Sequence, residues 1–121
     1  MTILETTIRT TAALAAILVL CASPAAAASD FVGTWGATKA SCRLPQDAQG
    51  APMILTLTSL DQHETHCQLA LTRNAASPWI ARAKCVVEGD QQNHTFKFTV
   101  RGDRLVVSER GVADKAYVKC R

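Results

Sequence analysis

The chain has 121 residues, 13 basic and 10 acidic side chains for a formal charge of +3, and is 48% hydrophobic with only 5% aromatics. This length fits one small domain, and the apolar fraction is too high for a disordered chain. The mild, dispersed basicity and the scarcity of rings exclude the clustered positive face and stacking platform of a nucleic-acid binder.

The first 28 residues read as a secretory signal. Arg9 precedes an apolar stretch from Ala12 to Cys21, Ser23-Pro24 breaks the run, and the small residues Ala25 to Ala28 follow, the layout of an exported precursor cleaved after Ala28. The run is too short for a membrane span, which needs about 18 or more apolar residues, so no stable membrane insertion is expected. Cys21 invites a lipoprotein reading, but Leu20 stands before it where that pattern takes a small side chain. The expected address is the periplasm, or the medium, after cleavage.

Taking 28 from 121 leaves 93 residues, Ser29 to Arg121, as a single β domain. Losing Arg9 and Glu5 keeps the charge at +3. Four cysteines remain, Cys42, Cys67, Cys85 and Cys120, and an even count in a small exported domain implies two disulfides. A core of this size gives thin stability, to which each bridge adds about 2 to 4 kcal/mol.

In chain order, seven strands are predicted: 31–37, 53–59, 65–73, 78–88, 93–101, 104–109 and 115–120. After residue 50 the apolar positions recur with period two, as in half-buried strands. The clearest case runs from Phe96 to Arg101, with Phe96, Phe98 and Val100 on the core side. Turn chemistry separates the strands at Asn74–Pro78, Gly89–Asn93, Arg101–Asp103 and Arg110–Gly111. The fold class is therefore all-β, a small antiparallel barrel or sandwich of about seven to eight strands in meander order. One long irregular stretch, Ala40 to Pro52, needs a tether, and Cys42 supplies it.

A hairpin joins the third and fourth predicted strands. If its turn is centred on Ala76, Cys67 falls directly opposite Cys85, with Cβ atoms about 4.5 to 5.5 Å apart. A turn centred between residues would break this register. Both cysteines also share a face with apolar neighbours: Leu69 and Leu71 on one strand, Trp79, Ala81, Ala83 and Val87 on the other. Cys67–Cys85 is thus favoured, leaving Cys42–Cys120.

Catalytic signatures are absent. His63-Glu64-Thr65-His66 resembles a zinc-protease motif lacking a residue, but that motif needs histidines four apart on a helix, and odd spacing on a strand sends side chains to opposite faces. The serines occupy no nucleophile elbow, no free thiol is expected, and Glu64, Glu88 and Glu109 read as surface or strand-end charges. No enzyme, cofactor or metal is expected.

Gly33-Thr34-Trp35 resembles the G-x-W signature on the first strand of lipocalin-like (calycin) barrels, a likeness that implies an indole closing one end of the barrel. Size, export, strand content and disulfides are also similar to small exported barrel inhibitors, nearest in type to periplasmic inhibitors of lysozyme and related peptidoglycan hydrolases. That resemblance implies a proteinaceous inhibitor of a cell-wall hydrolase, a lysozyme or lytic transglycosylase, that inserts a braced loop. The corresponding partner-binding residues are Asp61, His63, Glu64 and His66, next to Cys67. Against it, lysozymes are commonly basic, and a +3 chain gains no long-range attraction from them. The alternatives are a small-ligand or metal carrier and a structural envelope protein without a discrete site. The oligomeric state is open, a homodimer included.

Overall fold

Alternate side chains turn inward along every long strand, which lets one continuous sheet bury a core on its concave face. The computed structural model describes residues 14–18, 30–72 and 78–121. The expected cleavage point after Ala28, Cys21 and the Ala76 turn centre lie outside the described residues, and no helix among those described is long and apolar enough to cross a membrane. Eight strands form: β1 (Gly33–Gly36), β2 (Met53–Leu55), β3 (Ser59–Gln62), β4 (Thr65–Leu71), β5 (Trp79–Val87), β6 (Asp90–Arg101), β7 (Arg104–Glu109) and β8 (Val112–Lys119). Each pairs antiparallel with its chain neighbours, and β1 closes on β8 to complete a barrel.

Three strand boundaries differ from the sequence reading by more than two residues. The predicted strand 53–59 is split, because the Thr56 hydroxyl accepts the Thr58 and Ser59 N–H groups at 3.2 and 2.9 Å and turns the chain without Gly or Pro. β6 begins at Asp90 rather than Asn93: Glu88 and Gly89 both take positive φ, 49° and 87°, the conformation of a tight two-residue hairpin, so Asp90 already pairs with Val87. β8 likewise starts three residues early, at Val112 opposite Glu109.

The expected inward faces are in place. Cys67, Leu69, Trp79, Ala81, Ala83, Cys85 and Phe98 are buried, with Leu71, Val87, Phe96 and Val100 packed against them. Cys67 lies opposite Cys85, and the disulfides are Cys67–Cys85 and Cys42–Cys120.

The two ends of the barrel differ. At the end that carries the N-terminal segment, Phe31 packs on Phe98 and Trp79, with ring centroids 5.4 and 5.8 Å away. Fully buried Trp35 donates its indole N–H to the Phe31 carbonyl at 2.9 Å, and Trp79 donates to Asp30 at 3.0 Å. Lys119 lies over the Trp35 ring at 5.6 Å. This aromatic plug closes that end. The β3–β4, β5–β6 and β7–β8 turns gather at the other.

Cys42 sits on a 3-10 turn, Ala40–Arg43, folded against β1 at Gly36. A Cβ at Gly36 would meet the Thr38 carbonyl oxygen at 2.6 Å and the Ser41 Oγ and Cys42 Sγ at 2.8 Å. Gly36→Ala should therefore destabilise the oxidised protein by about 2 to 3 kcal/mol, as overpacking against backbone does. A urea-unfolding midpoint equal to that of the parent would refute this account of the tether.

Candidate functional site at the open end of the barrel

The β3–β4 hairpin is shorter than the expected Asp61–His66 loop. Asp61 and Gln62 belong to β3, Thr65 and His66 to β4, and only His63 and Glu64 form the turn. The four residues split into two pairs. Asp61 and His66 are cross-strand partners whose side chains meet at 2.8 Å on the exposed outer surface. A contact so exposed contributes at most about 1 kcal/mol, and its partners are occupied with each other.

His63 and Glu64 sit at the tip. His63 takes φ 49°, which costs a residue other than glycine energy unless neighbours hold it there. Gln46, from the long β1–β2 connection, does so. Its Oε1 accepts the His63 backbone N–H at 3.3 Å, its carbonyl lies 3.2 Å from His63 Nδ1, and its Nε2 donates to the Pro52 carbonyl at 2.7 Å. A carbonyl only accepts, so Nδ1 donates, and whenever the ring is neutral Nε2 is left as an acceptor. The Glu64 carbonyl accepts the Glu88 N–H at 3.2 Å, which joins the β3–β4 and β5–β6 tips into one rigid edge.

Charge is distributed unevenly along the barrel. Within three residues of the three tips lie Asp61, Glu64, Glu88, Asp90, Glu109 and Asp114, against Arg110 alone. The opposite end carries Lys39, Arg101, Arg104, Lys119 and Arg121 against Asp30 and Asp103; the Arg121 guanidinium, 2.5 Å away, holds the Asp103 carboxyl below the usual carboxylate range. The dispersed basicity of the sequence thus resolves into an acidic tip and a basic base.

Inside the tips the barrel opens into a cavity of about 240 Å³. Met53, Leu60, Val87, Phe96 and Val107 give it apolar walls, and Gln62, Gln92, His94, Glu109, Lys115 and Tyr117 contribute polar groups. β7 pairs with β6 only from Lys97 to Arg101, so the first seven residues of β6 overhang β7. His94 bridges that opening: its Nδ1 contacts Glu109, its Nε2 lies 2.9 Å from Gln92 Oε1, and its ring stacks on Phe96 at 5.3 Å. A bulge between Val107 and Glu109 aims Glu109 at it.

His94, Glu109 and Tyr117 were not singled out from sequence. Glu109 had read as a strand-end charge, yet it is half-buried against His94. The signal was there for His94, which shares the period-two phase of Phe96 and Phe98 and so must face inward. Gln46 gives no signal, because its role depends on where the β1–β2 connection returns, 17 residues before His63 in the chain. The three histidines have separate partners, and among the described residues no group of three His, Cys, Asp or Glu is placed to hold a metal ion. No protein-family model, curated protein or solved structure matches the chain.

Two measurements check this geometry. Gln46→Ala removes the Pro52 and His63 side-chain bonds and should cost about 1 to 2 kcal/mol, with amide exchange at His63 accelerating well beyond that of β5; unchanged exchange at His63 would mean that Gln46 is no tether. Burial also pushes the Tyr117 phenol above its ordinary range. Its folded form then holds the proton more tightly than the unfolded chain, so this contribution is complete below the unfolded value of about 10 and is lost as pH rises through the folded one. Tyr117→Phe should show a shallower alkaline loss of stability than the parent, and parallel curves would contradict it.

Proposed function

We propose that the chain is an exported binding protein that inhibits a cell-wall hydrolase, a lysozyme or lytic transglycosylase, with its hairpin end. The observation that carries this reading is the rigid acidic edge, in which Glu64 and Glu88 stand on fused tips and His63 is pinned by Gln46. A preorganised edge loses little conformational entropy on docking. The net charge of +3 argues against attraction to a basic hydrolase, but association is steered by the face presented, and this face is acidic.

The chemistry at the tip suits a glycosidase cleft. Such enzymes keep one carboxyl of the catalytic pair protonated as general acid. The free Nε2 of His63 accepts a hydrogen bond from that acid, while Glu64 and Glu88 pair with basic residues of the cleft rim. Asp61 and His66 stiffen the hairpin from its outer face rather than enter the cleft. The signal-like N-terminus, the G-x-W motif on β1 and the two disulfides support this role.

The oxidised protein should inhibit lysozyme or a lytic transglycosylase and comigrate with it on a sizing column. His63→Ala should weaken inhibition about tenfold, equivalent to about 1.4 kcal/mol, whereas Glu64→Lys with Glu88→Lys should slow association and flatten its salt dependence. Absence of inhibition and of any complex with either enzyme class would overturn the reading.

A further inference from the structure

β6 is longer than the strand that covers its far edge. β7 pairs with it only from Arg101 as far as Lys97, so the edge from Asp90 to Phe96 faces an open lane, and among the described residues no other backbone group pairs with it. The phase of that edge is fixed from both ends. In a two-residue hairpin the closing residues exchange both hydrogen bonds; Val87 and Asp90 close one such turn, Arg101 and Arg104 the other. Asp90, Gln92, His94 and Phe96 therefore direct their N–H and C=O groups at β5, while those of Gln91, Asn93 and Thr95 point into the lane.

An open edge is a template for another strand, and proteins blunt it with Pro, Lys or a bulge. Asp90–Phe96 holds no Pro or Lys, and its register with β5 runs unbroken. The lane is a groove of about 760 Å³ lined by Asn93, Thr95, Phe96, Lys97, Ser108 and Arg110. Lys97 and Arg110 are exposed at the Phe96 end, and among the described residues neither pairs with a carboxylate. A second copy does not fit this edge. Paired about a two-fold axis at Asn93, it would set its Gly89 opposite Lys97, where Ser108 already sits, and registers shifted toward the tip leave Thr95 unpaired.

We propose that the lane binds an extended polypeptide segment from another protein, added antiparallel to β6 as a further strand. The segment carries a carboxylate at the residue opposite Thr95 and a β-branched apolar residue opposite His94. The carboxylate falls on the outer face beside Lys97 and Arg110, and the apolar side chain on the inner face beside Phe96. Backbone pairing with Gln91, Asn93 and Thr95 supplies the affinity; the two side chains select the sequence.

The probe is acetyl-Glu-Val-Thr-Val-Thr-amide, titrated into isotope-labelled oxidised protein. It should shift the Gln91, Asn93 and Thr95 amide resonances saturably and slow their exchange with solvent. Methylating the backbone nitrogen of its third residue, which faces Asn93, should weaken binding at least about tenfold, whereas methylating that of its second residue, which faces away, should change it less than about threefold. Replacing its Glu by Lys should cost about tenfold, as exchanging attraction for repulsion at an exposed charge contact does. Asn93→Pro, which removes an N–H the β5–β6 ladder does not use, should abolish binding and leave that ladder intact. No saturable shift, equal losses from the two methylated peptides, or indifference to the Glu-to-Lys exchange would overturn the inference. Concentration-dependent shifts of the same three amides in the free protein would overturn it too, by assigning the edge to a second copy. Hydrolase inhibition is a separate readout that bears on the inhibitor reading alone.

Discussion

Everything in this molecule depends on β1 remaining paired with β8. β1 is four residues long and meets β8 through Trp35 opposite Lys119 and Gly36 opposite Val118, with Cys120 N–H donating to the Thr34 carbonyl at 2.8 Å. So short a seam is weak by itself, and without it both strands would become exposed edges open to aggregation. The Cys42–Cys120 bridge, closing a separation of 78 residues, spans this seam. In the chain-entropy account a loop of that length contributes about 4 to 5 kcal/mol, the larger of the two disulfide contributions. Gly36 is the necessary companion, because only a residue without Cβ lets the Cys42 turn lie close enough to reach Cys120.

Once the barrel is closed, its ends are free to diverge. One is filled by Phe31, Trp35, Trp79 and Phe98, and both indole N–H groups find acceptors there. The other is left wet, because β7 and β8 turn before the β5–β6 hairpin does and the inward positions at that level are Gln92, His94, Glu109 and Lys115 rather than large apolar groups. The stable end holds the fold; the polar end is available for recognition. A barrel this small can spend only one end on binding, since a second opening would remove core it lacks the size to replace.

The same division decides how the rim acts. The tips touch one another through Glu64 and Glu88 and touch the long connection through Gln46, so outer edge and inner cavity are built on one rigid frame. Their chemistries remain distinct. The edge carries carboxylates and a histidine, while the cavity is walled by apolar side chains beside the Tyr117 phenol.

What the sequence determined by itself is what local periodicity and counting encode: an all-β domain, the inward faces of β4, β5 and β6, and both disulfides, because alternation and turn spacing fix which side chains share a face and which residues stand opposite. It was less informative where the signal was not periodic. The Thr56 turn carries no Gly or Pro, and the polar run Asp90 to Asn93 looks like a loop although it is paired strand. Only the tertiary structure decided between barrel and sandwich, through the β1–β8 seam. It alone moved Asp61 and His66 from a loop onto the sheet's outer face, brought Gln46 to His63, set His94 against Glu109, and sorted carboxylates to one end and cations to the other. Each of those outcomes depends on residues far apart in the chain meeting after closure, and no local pattern records a distance that only closure creates.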